Sequence, residues 1–272
     1  MASIKGNNII SVDEEKIARY LKDRNYSRVN ANSAPVHPRI GFYALYGKRL
    51  LDLIIIIPAI AILSPVLLIL AVCNLVIMGK PVFYKQTRVG LNGKPFDMLK
   101  FRSMKNAMDK NGRQLPANQR LTRYGRFIRR YSLDELGNFF NILKGEMSII
   151  GPRALPVFYH DRMSERHMKR ELVRPGLECP RVIEMEEDEV GYYQIQFEND
   201  IWYVENISLF TDIKMVFALV KMVSESKERS KHADVGTFFV GYNDEGIALS
   251  LRLAKEQYPD QFASYGNEGD HS

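Results

Sequence analysis

At 272 residues, with 46% hydrophobic and 26% charged side chains, the chain can bury a substantial core and is too mixed to be disordered, collagenous or low-complexity. Its two cysteines, Cys73 and Cys179, exclude a disulfide-stapled scaffold and offer no zinc-ligand spacing, and the five histidines are scattered without a metal or triad pattern. Lys and Arg number 38 against 32 Asp and Glu, a net charge of +6 that favours anionic partners.

Residues 1–40 form a polar N-terminal extension with a short helix capped by Ser11 and Glu14 and a linker carrying Pro35 and Pro38, read as a tether or partner-binding arm. The first apolar run begins at Leu50, too late for a secretory signal.

Residues 41–79 hold the one strongly apolar stretch. From Leu50 to Met78 the only charge is Asp52. An unbroken helix here would be roughly 43 Å long, more than a hydrocarbon core of about 30 Å requires. Pro58 and Pro65 interrupt its hydrogen bonding, and Ser64 can return its hydroxyl to the carbonyl of Ala61 that Pro65 leaves unpaired. Neither leg flanking Ser64-Pro65 reaches the ~20 residues of a full span. Basic residues flank both ends: Arg39, Lys48 and Arg49 before, Lys80, Lys85 and Arg88 after. A spanning helix carries basic excess on one side only, so the pattern predicts a re-entrant helical hairpin that bends at Ser64-Pro65 and leaves by the face it entered. A tilted, kinked transmembrane helix and a buried helical hairpin are the alternatives. Lys48 and Arg49 are expected at the membrane interface, neutralising Asp52 while reaching for headgroups.

Residues 80–224 are read as a small cytoplasmic domain. Between Lys100 and Arg130 basic residues recur, with Asp109 the only acid, and the run ends against Asp134-Glu135. Ser132 and Glu135 have capping-box spacing. Leu133, Leu136, Phe140 and Leu143 follow at helical intervals, and Gly145 supplies a stop. Asp134 and Glu135 thus fall in a first helical turn, where they serve either as good first-turn acids or as a nucleophile beside a metal-binding carboxylate among guanidinium groups, a set suited to phosphoryl chemistry. Met147 to Ile150 reads as a short strand and Gly151-Pro152 as a turn presenting Arg153. Ile207 to Val223 is helical by periodicity, packed in the core or lying on the membrane, with core favoured. In the C-terminal extension, 225–272, Thr237 to Tyr242 suggests a strand and Asn243 a cap for a helix from about Glu245 to Lys255.

The chain resembles the bacterial sugar transferase family, the monotopic phosphoglycosyl transferases that charge polyprenyl phosphate, over roughly residues 46–177 and 198–215. The resemblance is carried by Lys48-Arg49, Ser64-Pro65, Gln86-Thr87-Arg88-Val89-Gly90, Lys100-Phe101-Arg102-Ser103-Met104, Ser132-Leu133-Asp134-Glu135-Leu136, Asn141-Ile142-Leu143-Lys144-Gly145, Gly151-Pro152-Arg153, Arg174-Pro175-Gly176 and Tyr203-Val204-Glu205-Asn206. Their order makes the set specific.

The resemblance implies an α+β, mostly helical monotopic membrane protein on the cytoplasmic face of the bacterial inner membrane. It implies transfer of sugar-1-phosphate from a UDP-sugar to polyprenyl (undecaprenyl) phosphate, with release of UMP, initiating surface glycan assembly. By similarity Asp134 is the nucleophile that forms a covalent phosphosugar intermediate, Glu135 holds Mg²⁺, and Lys100, Arg129 and Arg153 bind phosphates. A homo-oligomer is among the partners considered. Nucleic acid is not, because no groove-reading helix or aromatic-interleaved basic motif is present. A membrane-anchored basic adaptor and a catalytically altered family member are the competing readings.

The chain departs from the family pattern at Gly137-Asn138, where Pro-Gln is usual, and at Ala154, where Pro is usual. It departs again at Leu177-Glu178-Cys179-Pro180-Arg181, which stands in place of Thr-Gly-Trp-Ala-Gln and precedes the acids Glu184, Glu186, Glu187, Asp188 and Glu189.

Overall fold

The computed structural model describes residues 3–5, 8–10, 12–110, 115–179, 182–183, 191–224 and 238–263. Ser11, Thr237 and the acidic run 184–189 lie outside them.

The apolar segment forms one helix, α2 (Lys48–Met78), whose hydrogen-bonded run continues through Pro58 and Pro65. Ser64 Oγ donates to the carbonyl of Ala61 at 2.8 Å, supplying a partner for the acceptor that proline orphans. The helix is long and apolar enough to cross a membrane, and most of its surface is uncovered. Its buried positions, Lys48, Asp52, Ile56, Leu67, Leu70, Asn74 and Met78, recur at helical intervals. Between them, around Ser64-Pro65, the helix is exposed.

Where a hairpin bend is predicted the structure has one continuous helix, and its residues before and after Ser64-Pro65 rest on the same folded body. Ile56 packs with Met98, Ile142 and Tyr203. Leu67 and Leu70 pack with Phe101 and Ile128, and Asn74 Nδ2 donates to the carbonyl of Arg102 at 3.0 Å.

That body is built around an antiparallel hairpin of β3 (Phe83–Val89) and β4 (Pro95–Phe101), paired from Phe83–Phe101 to Val89–Pro95. Its tight connection places Asn92 and Gly93 at positive φ, which the small polar residue and the glycine accept. After α3 (Ala117–Arg120) come α4 (Arg123–Arg130), a 3₁₀ turn over Leu133–Gly137 and α5 (Asn138–Lys144). Gly145 ends α5 at φ 85°, the stop its sequence predicts. The predicted strand is β5 (Ser148–Ile150), fully buried and parallel to β6 (Gly176–Glu178). The short helices α6 (Val157–His160) and α7 (Glu165–Met168) lie between them, and α8 (Tyr192–Asn206) and α9 (Leu209–Ser224) follow.

Three expectations change in form. The N-terminal helix is not short: α1 (Val12–Asn32) has 21 residues, and Glu14, expected as a cap, is buried against Arg162 at 3.1 Å. The terminal extensions also pack on each other. Ile17, Ala18 and Leu21 of α1 share a core with Val240 and Leu249 of β7 (Phe239–Tyr242) and β8 (Ala248–Ser250), and Asn25 Nδ2 donates to the Tyr242 carbonyl at 2.8 Å. Asn243 caps no long helix. Its side chain accepts from Glu245 and Ile247 N–H in a turn, and α10 (Leu251–Gln257) is capped by Ser250.

The predicted core placement of the 207–223 helix holds for one face of α9. Asp212 is buried and Met215 and Val216 join the core, but Leu209, Phe210, Ile213 and Phe217 are exposed, Phe210 by 79%. In composition the whole is α+β and mostly helical, with small sheets.

Candidate active site

Lys100 on β4 and Glu135 in the 3₁₀ turn meet at 2.8 Å, Nζ to Oε1. Two close approaches hold these elements together. Asn141 of α5 accepts the Leu99 N–H at 2.9 Å and donates to the Asp97 carbonyl at 2.8 Å. Gly137 lies so near β4 that a Cβ there would sit 2.6 Å from the Leu99 carbonyl oxygen. The substitution of Gly137 for the family's usual proline therefore accompanies tight apposition of the acidic turn and the lysine strand.

The predicted capping box does not form. Ser132 sits in the left-handed region at φ 52° and makes no side-chain cap, so the turn is 3₁₀ rather than the start of an α-helix. Asp134 is consequently turned inward, 9% exposed. Burial raises its pKa above the usual carboxylate value; Lys100 and Arg129 pull against that rise and Glu135 adds to it.

Arg129, at the end of α4, donates from Nε to Ser103 Oγ at 2.7 Å. The crossing is possible because Gly125 has no side chain: a Cβ would lie 1.8 Å from the Ser103 carbonyl oxygen. Arg153 stands on the turn after β5. Gly151 and Gly176 pass back to back, the Gly176 N–H donates to the Pro152 carbonyl at 2.9 Å, and Arg170, paired with buried Asp200 at 2.7 Å, donates to the Arg153 carbonyl. Among the described residues no side chain pairs with the Arg153 guanidinium, while Glu135 and Glu178 are close enough to act on it electrostatically. The structure thus brings Asp134, Glu135, Lys100, Arg129 and Arg153 to one place.

Lys48 and Arg49 do not behave as predicted. Lys48 is 3% exposed and pairs with Asp212 at 2.7 Å, and Arg49 donates to the carbonyls of Ile142 and Leu143 at the end of α5. Both side chains find acceptors within the folded body, Lys48 in a buried carboxylate and Arg49 in two carbonyls at the end of a helix, partners that their sequence neighbourhood does not reveal. Asp52 is likewise bonded to Ser148 Oγ and the Ile149 N–H, at 2.9 and 3.0 Å, and not to its helical neighbours.

Two contributors escaped the sequence reading. Ser103 was noted only within a motif, yet it anchors Arg129. Arg88 has no role in the sequence beyond a flanking charge and a place in the Gln86–Gly90 motif, yet the β3–β4 register places it on the same sheet face as Lys100; the Asn-Gly turn signal is the available clue.

Adjacent carboxylates among three cationic side chains, in a fold that also carries a long apolar helix, form an arrangement chemically suited to anionic groups. The chain belongs to the bacterial sugar transferase family, whose model matches residues 43–226. It is 39% identical over 204 residues to the uncharacterized sugar transferase EpsL of Bacillus subtilis, covering 70% of this chain and 95% of that protein. It is also 35% identical over 182 residues to the UDP-N-acetylgalactosamine-undecaprenyl-phosphate N-acetylgalactosaminephosphotransferase of Aeromonas hydrophila. The UDP-glucose:undecaprenyl-phosphate glucose-1-phosphate transferase of Klebsiella pneumoniae is 34% identical over 182 residues. Those matches take in 65% and 64% of this chain but only 43% and 39% of the longer relatives.

Proposed function

We propose that this protein transfers sugar-1-phosphate from a UDP-sugar to polyprenyl phosphate, releasing UMP. The observation that carries the reading is the convergence of buried Asp134 and the Lys100–Glu135 pair with Arg129 and Arg153. The relatives named for undecaprenyl-phosphate sugar transfer support it.

In the first step the Asp134 carboxylate attacks the sugar-bearing phosphorus of the donor. The bond from that phosphorus to the bridging oxygen breaks, UMP departs with the oxygen, and an acyl phosphate links Asp134 to the sugar phosphate. In the second step an oxygen of polyprenyl phosphate attacks the same phosphorus, the acyl phosphate bond breaks, and the Asp134 carboxylate is restored with a polyprenyl diphosphosugar as product. Burial among apolar groups makes the carboxylate more basic than in water, which favours nucleophilic attack once it is ionised. Lys100, Arg129 and Arg153 neutralise the charge that accumulates on the phosphoryl oxygens.

Glu135, with Asp134 beside it, is the ligand we assign to Mg²⁺. Two adjacent carboxylates suit an ion that takes hard oxygen donors and completes its shell with water and substrate phosphates. When bound, the ion supplies Lewis-acid stabilisation of the diphosphate.

The membrane reading is monotopic. Lys48 and Asn74, near opposite ends of α2, both bond to the same folded body, which supports a helix that enters and leaves on one face, the cytoplasmic one, with Ser64-Pro65 at its deepest point. Exposed Phe210 and Phe217 of α9 suit contact with the same interface. A soluble dianionic donor and a lipid acceptor with its phosphate at headgroup level then meet at one basic surface.

The test uses full-length protein in nanodiscs containing polyprenyl phosphate and Mg²⁺, screened against a panel of UDP-sugars for UMP release. Release that depends on both substrates supports the proposal; none from any sugar refutes it. Cysteines placed near residues 40 and 82 should both resist labelling from outside intact cells, and labelling of one alone would refute the monotopic arrangement.

A further inference from the structure

Arg88 is held in an environment that does not neutralise it. It stands opposite Phe96, as Tyr84 stands opposite Lys100, so Arg88 and Lys100 share a sheet face about 13 Å apart along the strand. The end of β3 is tied to the segment after Arg153 by the Arg88–Pro156 bridge and by the Val89 N–H donating to the Leu155 carbonyl at 2.9 Å. The side chain of Arg88 makes one hydrogen bond, from Nη2 to the neutral Gln86 Oε1 at 2.7 Å, and its Nε is buried with no partner. Burial lowers its pKa, the positive charge of Arg153 lowers it further, and it stands at about 10; the other groups acting on it are the uncharged hydroxyls of Tyr159, Tyr84 and Tyr193.

A half-buried guanidinium whose Nε is shut away without a partner, close enough to the exposed Arg153 to feel its charge, is unfavourable in the free protein. It becomes favourable when an anion with several oxygens enters, because planar arginine forks match phosphate oxygens. The carboxylates that act on the pair electrostatically, Glu135 and Glu178, do so at Arg153.

We infer that Arg88 and Arg153 together form a binding site for a phosphate monoester, with Arg88 donating from its buried Nε to the phosphoryl oxygens. The inference rests on the transfer reaction proposed above for the ligand's role: the monoester is either the UMP that leaves or the headgroup of the polyprenyl acceptor. It adds a residue to which no role has been given.

Thermal unfolding of the full chain in nanodiscs tests it, using UMP in one arm and farnesyl phosphate in the other, since ligands that bind only the folded state raise the melting temperature. The expected result is that Arg88→Met melts no lower than the parent when free but binds one of the two monoesters at least ~10-fold more weakly, as loss of a charge-assisted pair implies. Loss confined to UMP assigns the site to the nucleotide, and loss confined to farnesyl phosphate assigns it to the acceptor. Arg88→Gln, which keeps a neutral donor, should show the same loss. If both variants keep parental affinity for both monoesters, or if neither monoester stabilises the parent, the inference is overturned. The outcomes separate from those of the transfer proposal. Arg88-dependent UMP binding without sugar transfer sinks the reaction and keeps the site. Undiminished transfer and monoester affinity in both variants sink the site and keep the reaction.

Discussion

Lys48 Nζ and Asp212 Oδ2 lie 2.7 Å apart, joining the first residue of the membrane helix to a side chain 164 positions later. Both are almost fully buried, and the same carboxylate accepts from Tyr43 Oη and Tyr203 Oη at 2.6 Å each. The pair therefore fastens the foot of α2 to α9 through a network of one ammonium and two phenolic hydroxyls around one carboxylate. Removing one charge leaves the other buried and uncompensated, which costs about 3–5 kcal/mol. Asp212→Ala should lower stability by that order, whereas Lys48→Met combined with Asp212→Asn should recover much of the loss, because no unpaired charge remains and Asn still offers an oxygen to a tyrosine. Denaturation of the purified protein in detergent, run on the single and double variants, measures the difference. Equal stabilities for Asp212→Ala and the parent would show that the pair does not hold the helix.

Gly125 sets the position of Arg129. A methyl group at this residue would lie 1.8 Å from the Ser103 carbonyl oxygen, backbone that cannot swing aside. Gly125→Ala should push α4 off the segment that follows β4, destabilising the protein by about 1–3 kcal/mol and carrying the Arg129 guanidinium away from the acidic turn. Displacement of a substrate-binding group by about 1 Å costs on the order of 100-fold in rate, so steady-state UMP release should fall far more than in Ser103→Ala, which removes only the hydroxyl that receives Arg129 Nε. Parental turnover in Gly125→Ala would contradict this account.

How much of this was readable from the chain depends on how local the cause was. The apolar helix, the Ser64 repair of Ala61, the Gly145 stop, the buried strand before Arg153 and the clustering of Asp134, Glu135, Lys100, Arg129 and Arg153 follow from periodicity or ordered motifs. The left-handed Ser132 was not legible, because Ser-x-x-Glu spacing describes both a capping box and this 3₁₀ turn, and packing of Gly137 on Leu99 decides between them. The partners of Lys48 and Arg49 were not legible for a related reason: only the fold shows that Asp212 and the end of α5 come within bonding distance of them. Docking of α1 on the C-terminal hairpin joins residues more than 200 positions apart, such as Asn25 and Tyr242, and no local pattern marks such a contact.

The C-terminal hairpin is also held to the rest of the fold through Glu198. This carboxylate accepts from Arg166 Nη2 at 2.7 Å and sits 2.9 Å from His167 Nε2, while His167 Nδ1 lies 2.8 Å from the hydroxyl of Tyr242 on β7. Burial alone would raise the Glu198 pKa, but the hydrogen bonds from His167 and Arg166 hold it at about 2, below its ordinary 4.5. A depressed carboxylate stabilises the fold fully above the unfolded value and loses that contribution as pH falls through the folded one. The difference corresponds to at most roughly 3 kcal/mol. Glu198→Gln should therefore be less stable than the parent at pH 7, and the gap should close as pH falls from about 4.5 toward 2. Denaturant titrations at several pH values read the gap directly, and a gap independent of pH across that window would remove Glu198 as its source.

Asp134 carries the opposite sign. Its pKa is raised, mainly by burial, so the folded state holds the proton to higher pH than the unfolded chain and the ionised carboxylate is a cost to stability once pH exceeds the folded value. Asp134→Asn keeps the shape and removes the charge. At neutral pH it should melt at the same temperature as the parent or higher, while UMP release falls on the order of 10⁴-fold or more, as expected when a nucleophile is lost. The raised pKa also places the acid limb of kcat/KM for the parent above the ordinary carboxylate value of 3.8. A combined measurement of melting temperature and pH–rate profile separates this from a structural role: a buried carboxylate that merely supported the turn would lose stability on amidation and leave turnover largely intact. Substantial UMP release by Asp134→Asn, with its melting temperature lowered, would move the nucleophile elsewhere in the site.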